Sequence, residues 1–69
     1  MTSQEIKQLR LDYGKANGNP KISQEEFAVK VIGISARQYH RWENDESKPN
    51  RLAIKELKRI KKELDEYKK

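Results

Sequence analysis

Long polar side chains stand at four of the five positions from 37 to 41, namely Arg37, Gln38, His40 and Arg41. Arginine can donate two hydrogen bonds to guanine O6 and N7, and glutamine can pair in the same way with adenine N6 and N7. A helix would place Arg37 and Arg41 on one face, with Gln38 beside them. The alternative interpretation is a solvated charged face, and these four residues alone do not exclude it.

The same residues give no indication of catalysis. His40 is the only histidine, and the chain has no cysteine, so the usual nitrogen and sulfur ligands of zinc are not available as a set. No nucleophile, base and orienting group can be combined, and Glu43 is predicted to hold a helix end or pair with a basic neighbour. We therefore expect no enzyme, no metal, no cofactor and no small-molecule substrate.

Two short helices around a glycine are predicted to present the polar side chains. Ser23 with Glu26, and Ser35 with Gln38, have the spacing of capping boxes. Gly33 lies between them and can enter a left-handed turn without steric cost. This pattern is the sequence form of a helix-turn-helix, predicted at residues 23–43. The residues predicted to form the core of the motif are Phe27, Ala28, Gly33, Ile34, Tyr39 and Trp42.

Further helices are predicted on both sides of the motif. Ile6, Leu9 and Tyr13 recur on one face of a first helix, which Thr2 or Ser3 can cap. The turn-rich residues 15–21 follow, either as a tolerated surface insertion or as a basic loop that touches a partner. Residues 51–67 form a long C-terminal helix with an apolar seam of period 3.5. The seam consists of Ala53, Leu57, Ile60, Leu64 and Tyr67, widened at its start by Leu52 and Ile54.

The end of that seam has two interpretations of about equal weight. Ile60, Leu64 and Tyr67 could pack back onto the first helix and complete the core. They could instead form the assembly surface of a weak homodimer, or of a complex with a partner regulator protein. Two heptads are too few to indicate a coiled coil.

Composition sets bounds on partner and compartment. The 69 residues carry a net charge of +5, with 39% charged and 33% hydrophobic residues, which fits one small, marginally stable domain. Residues 51–69 hold eight Lys and Arg against four acids, whereas residues 23–50 hold four against five. Charge therefore gives only modest support for a polyanionic partner. No apolar run approaches the roughly 20 residues of a membrane span, so we expect a soluble, cytoplasmic chain without a membrane partner.

Several stretches resemble the Cro and lambda-repressor-like helix-turn-helix family, also called the XRE family. They are residues 6–10 (IKQLR), 23–28 (SQEEFA), 33–35 (GIS), 41–44 (RWEN) and 48–49 (KP). The resemblance implies an all-α fold of four or five helices, forming a single lambda-repressor-like domain over residues 1–69 with an extended C-terminal helix. It also implies a sequence-specific regulator of transcription that binds double-stranded DNA, similar to small Cro-like phage repressors.

In such a protein the third helix enters the major groove and the N-terminus of the second meets the backbone. The expected base contacts are Ala36, Arg37, Gln38, His40 and Arg41. The expected phosphate contacts are Gln24, Ser35, Lys48 and Asn50.

Two features depart from the family pattern. Between Ala28 and Gly33 the chain has one residue more than usual, which the region around residues 31–32 must accommodate. Asp45 and Glu46 stand where the family often has Gly and Lys, and acids would sit poorly beside phosphates. The alternative function is a protein-interaction module on the same scaffold, which binds another regulator as an antirepressor or an antitoxin does.

Overall fold

The described part of the chain is mostly helical. The computed structural model describes residues 1–67, which form α1 (Ser3–Ala16), α2 (Gln24–Glu26), a π-helical segment (Phe27–Ile32), α3 (Ala36–Glu43) and α4 (Arg51–Tyr67). None of these residues is in a strand. The predicted all-α class is therefore confirmed, and the four α-helices lie within the predicted four or five. Over the same residues, no helix is both long and apolar enough to cross a membrane.

Three helices begin at the predicted capping residues. The Thr2 hydroxyl accepts a hydrogen bond from the amide of Glu5 at 3.2 Å, and the Glu5 carboxylate accepts one from the Thr2 amide at 3.2 Å. Ser23 and Ser35 each accept a hydrogen bond from the amide three residues further on, at 3.0 and 3.2 Å. These hydroxyls satisfy amides that have no partner within a helix, which fixes where each helix starts.

The π-helical segment extends α2 with a wider turn. At its end the Gly33 amide donates to the carbonyl of Ala28, five residues earlier, at 2.7 Å. A π-turn closes over one residue more than an α-turn does. If the chain has one residue more than the Cro-like pattern between Ala28 and Gly33, as the resemblance implies, a π-turn at this place would accommodate it. Gly33 then ends the segment in the left-handed region, with φ +88°.

A row of edge-to-face aromatic rings runs through the core. Ring centroids are separated by 5.5 Å from Tyr13 to Phe27, by 5.5 Å from Phe27 to Tyr39, and by 6.1 Å from Tyr39 to Trp42. This geometry is favourable for aromatic pairs, and it ties α1, the π-helical segment and α3 together. The buried core residues are Ile6, Leu9, Ile22, Phe27, Ala28, Tyr39, Trp42, Leu57, Ile60 and Leu64.

Two of the residues predicted for the core of the motif are not buried. Gly33 is exposed, so what it contributes is its backbone conformation. Ile34 is partly buried and packs against the edge of the core. The prediction was wrong for Gly33 because a residue chosen for a positive φ lies at a turn, where the chain is at the surface.

The end of the α4 seam belongs to the core of the monomer. Ile60 and Leu64 are 3% and 7% exposed, and α4 packs against α1. These two residues are therefore not available as an assembly surface, which corrects that interpretation of the seam. The side chain of Tyr67, the third residue assigned to it, lies outside the described part of the structure.

The start of the α4 seam also differs from the prediction. Leu52 is 76% exposed, and Ile54 is half-buried. At 100° per residue, Leu52 lies about 140° around the helix from the fully buried Leu57. It therefore cannot share the face that closes the core.

The connection from α1 to α2 is attached to the core at several points. Its Asn19 amide donates to the Gly14 carbonyl at 2.7 Å, and the Ile22 amide donates to the Asn19 carbonyl at 3.0 Å. Ile22 is 6% exposed and belongs to the core. Gly18, with φ +77°, makes the left-handed turn after the helix. This stretch is therefore an exposed connection that is anchored to the core by these hydrogen bonds and by Ile22.

Candidate functional site

Six residues from α3 and the loop after it surround one open groove on the surface. From the start of α3 come Ser35, Arg37 and Gln38, and Arg41 follows one turn later on the same side. Ser47 and Lys48 of the loop between α3 and α4 close the other wall. The groove therefore unites three of the five residues predicted to contact bases with two of the four predicted to contact phosphates.

The long side chains of this groove have no partners inside the protein. Within residues 1–67, no hydrogen bond or ion pair engages the side chains of Arg37, Gln38, Arg41 or Lys48. All four residues are exposed. The groove thus carries three positive charges and an amide that are free to bind an external group.

The position of α3 is fixed by an ion pair to α1. The Arg10 guanidinium donates from Nε to Glu43 Oε2 at 2.8 Å and from Nη2 to Glu43 Oε1 at 3.3 Å. Its remaining nitrogen, Nη1, donates to the Ile22 carbonyl at 2.7 Å. The two side chains are only 13% and 3% exposed. Arg10 therefore joins α1, the connection before α2, and the end of α3.

A chain of hydrogen bonds continues from this ion pair along the surface. Gln24 Nε2 donates to Glu43 Oε1 at 2.9 Å. Gln24 Oε1 lies 2.8 Å from His40 Nδ1, and His40 Nε2 lies 2.7 Å from Asn44 Nδ2. The first residue of α2 is thereby linked to α3 and to the residue that ends it.

The ionisation of the pair follows from its surroundings. Burial alone would raise the pKa of Glu43, but the hydrogen bonds from Arg10 and Gln24 and the nearby Tyr39 hydroxyl outweigh it, and the pKa lies below its usual value of 4.5. Burial would lower the pKa of Arg10, and the interaction with Glu43 reverses this, so that the pKa is raised. The pKa of Tyr39 is raised by burial first, and then by its proximity to the Glu43 carboxylate. Glu43 therefore carries its charge at neutral pH.

The remaining predicted contact residues lie elsewhere or are already hydrogen-bonded. Gln24 and His40 take part in the internal hydrogen-bond chain, which engages both ring nitrogens of His40 and both polar atoms of the Gln24 amide. One N–H of the Gln24 amide is left over. Asn50 accepts a hydrogen bond from the amide of Ala53 at 2.8 Å and caps α4. Ala36 is half-buried in the first turn of α3. The expected contact set thus divides into side chains that face the groove and side chains that hold the helices in place.

The two acidic residues of the loop do not line the groove. Asp45 lies in a left-handed conformation, with φ 61°, and lines a separate cavity with Met1, Trp42 and Pro49. Ser47 and Lys48 contribute to both the cavity and the groove. The left-handed turn at Asp45 thus directs the chain from the acidic residues back to the groove.

Two residues of this region were not assigned to a site from the sequence. Arg10 was noted only as part of a helix, because a pair that is 33 residues apart leaves no periodic signal. Ser47 occurs in an irregular loop, where spacing does not indicate a side chain's neighbours. The capping role of Asn50 could have been recognised, since asparagine just before a helix is a common N-cap.

No family model, curated protein or solved structure matches this chain. The resemblance to Cro-like and lambda-repressor-like proteins therefore stays a prediction based on the quoted residues. Among the described residues, no group of three or more histidine, aspartate and glutamate side chains could hold a metal ion.

Proposed function

We propose that this protein is a sequence-specific regulator of transcription that binds double-stranded DNA through the groove along α3. In this proposal α2, the π-helical segment and α3 form a helix-turn-helix, and α3 is the recognition helix. The observation that carries the proposal is the convergence of Arg37, Gln38, Arg41 and Lys48, all exposed and without internal partners, on one groove.

The chemistry of these side chains suits a nucleic acid. Arg37 and Arg41 are four residues apart on an exposed helix face, so their Cβ atoms lie about 5–6 Å from each other. Each has a free guanidinium that can donate two hydrogen bonds to a guanine, and Gln38 can pair with an adenine. Ser35 and Lys48, at the edges of the groove, are suited to phosphates. If these side chains formed only a solvated charged face, there would be no reason for them to line the same groove.

The locations of the other charges support the same assignment. Arg59 on α4 is held between Glu56 and Glu63, and Arg10 is held by Glu43. Asp45 lies outside the groove. Among the described residues, three arginine side chains make no hydrogen bond or ion pair: Arg37 and Arg41 on α3, and Arg51 at the start of α4. Two of the three thus line the groove, even though residues 23–50 as a whole are nearly neutral. Local charge, more than net charge, governs attraction to a phosphate backbone.

A binding titration tests this proposal. Duplex DNA is first selected from a randomised pool with the wild-type protein, and its affinity is compared with that of random duplex at two salt concentrations. Arg37→Ala should weaken binding to the selected duplex by about 1–3 kcal/mol and affect random duplex less. Lys48→Ala should weaken both equally and reduce the salt slope by about one.

Lys58→Ala is the matched control. It removes one positive charge from an exposed position on α4, away from the groove, and should leave the preference for selected over random duplex unchanged. If selection yields no preferred sequence, or if Arg37→Ala and Lys58→Ala have equal effects, α3 does not read bases and the proposal is wrong.

A protein-interaction module remains the second candidate, and one observation favours it. Leu52 is 76% exposed at the start of α4, and Val29 is 54% exposed in the π-helical segment. Single exposed apolar residues are common on protein surfaces, and burial of Ile60 and Leu64 removes most of the apolar surface on which this candidate was based. Binding to a partner regulator that is lost in Leu52→Ser, while DNA selection yields nothing, would favour it over DNA binding.

A further inference from the structure

A series of hydrogen bonds runs from Arg10 through Glu43, Gln24 and His40 to Asn44. The charge on Glu43 determines which partner donates in each of them. Glu43 is charged and can only accept, so the amide nitrogen of Gln24 must face it. The amide oxygen of Gln24 then faces His40, and Nδ1 of the ring must donate to it. In the neutral ring, Nε2 then carries no proton and accepts from the Asn44 amide. One charged group therefore specifies which ring nitrogen of His40 carries the proton.

This order leaves His40 without a free ring nitrogen, although the residue is exposed. Its Nδ1 is committed to α2, and its Nε2 is committed to the end of α3. To read a base, His40 would have to break one of these two bonds. Arg37 and Arg41 have no such bonds to break. The ring instead connects the first residue of α2 to the middle of α3.

We propose that His40 is a positioning residue whose ring, held by Gln24 as the Nδ1–H tautomer, fixes α3 against α2 and does not itself read bases. This assignment rests on the proposed function for its effect on DNA, and on the hydrogen bonds alone for the tautomer. Gln24 has the matching role: it transmits the constraint from the Arg10–Glu43 pair to the ring.

The tautomer can be measured without DNA. His40 is the only histidine in the chain, so the ¹⁵N signals of its ring need no further assignment. The neutral ring of the wild-type protein should carry its proton on Nδ1. Gln24→Ala removes the acceptor, and a net hydrogen bond corresponds to about a three- to tenfold change in an equilibrium constant, so the ratio of Nδ1–H to Nε2–H should fall by that factor. A wild-type ring protonated on Nε2, or a ratio unchanged in Gln24→Ala, overturns the proposal.

The effect on DNA is tested with the selected duplex and its single-base variants. His40→Ala and Gln24→Ala should each weaken binding about three- to tenfold on every duplex, with the order of base preference preserved. The loss in the double variant should be smaller than the product of the two single losses, because both variants remove the Gln24–His40 link. His40→Asn places an amide nitrogen close to the position of Nδ1, and it should restore most of the affinity.

The outcomes separate this proposal from the proposed function. A loss in His40→Ala at one base pair only would make His40 a base reader, and losses that multiply in the double variant would mean that the two residues act independently. Either result overturns the positioning role while leaving DNA binding intact. If the wild-type protein selects no duplex, the proposed function fails, and the ¹⁵N measurement still decides whether Gln24 fixes the ring.

Discussion

Arg10 of α1 and Glu43, the last residue of α3, form a bidentate ion pair with nitrogen–oxygen distances of 2.8 and 3.3 Å. Both carboxylate oxygens and two of the three guanidinium nitrogens take part, a geometry available to arginine but not to lysine. Because Glu43 also accepts a hydrogen bond from Gln24, this pair links α3, which carries the groove, to α1 and to the start of α2. The position of α3 therefore depends on charges as well as on the core.

Removing one partner of this pair should be costly. Arg10→Ala leaves a largely buried carboxylate without its counter-ion and should lower the free energy of unfolding by about 3 kcal/mol, measured by urea denaturation. The double variant Arg10→Ala, Glu43→Ala should be less destabilised than Arg10→Ala alone, since no charge is left unpaired. Arg59→Ala is the control: it loses two carboxylate partners, but these are 36% and 63% exposed, so the free energy of unfolding should hardly change. Equal effects of Arg10→Ala and Arg59→Ala would contradict the argument.

The same pair should make stability depend on acid pH. The pKa of Glu43 is lower in the folded chain than its ordinary value of 4.5, so the unfolded state binds protons more readily. The stabilisation is therefore complete above about pH 4.5 and is lost as the pH falls through the folded-state pKa. The difference in unfolding free energy between wild type and Glu43→Gln should shrink steadily in urea titrations below that pH. A difference that stays constant with pH would show that the Glu43 charge does not stabilise the fold.

The fold class and much of the core could be predicted because they depend on local signals. The spacing of Ile6 and Leu9, the capping serines, and the place of Trp42 opposite the arginines all follow from helical periodicity. The burial of Phe27, Ala28, Tyr39 and Trp42 agrees with that reasoning.

The sequence could not predict which candidate residues face the groove and which hold the helices in place, because this depends on residue pairs that are distant in sequence. Gln24 and His40 were predicted to contact DNA. In the folded chain Gln24 lies beside Glu43, which Arg10 holds, and both Gln24 and His40 are hydrogen-bonded internally. The orientation of Leu52 was mispredicted for a different reason. At the first turn of a helix, a seam with a period of 3.5 residues does not reveal how far the core extends.

Gly14 is required for space rather than for backbone conformation. It lies within α1, and an added Cβ would be 2.3 Å from the Asn19 carbonyl oxygen and 2.7 Å from Cγ2 of Ile22. Gly14→Ala should therefore destabilise the fold by about 1–3 kcal/mol, although alanine favours helices. Thermal unfolding monitored by circular dichroism measures the effect. Lys15→Ala, at the exposed next position of α1, is the control and should be neutral. A stabilised Gly14→Ala would show that the connection before α2 is not packed against this helix.

Leu52 and Leu64 are leucines of the same helix with opposite environments, 76% and 7% exposed. Leu64→Ala should lower the free energy of unfolding by about 2–5 kcal/mol, because it opens a cavity between α4 and α1. Leu52→Ala should change it by no more than about 0.5 kcal/mol. Sedimentation velocity of the same proteins separates packing from assembly. If Leu64→Ala melts like the wild type but dissociates an oligomer, the end of α4 is an assembly surface after all. If Leu52→Ala dissociates an oligomer and Leu64→Ala does not, self-association uses the exposed first turn of α4, and Leu64 is a core residue.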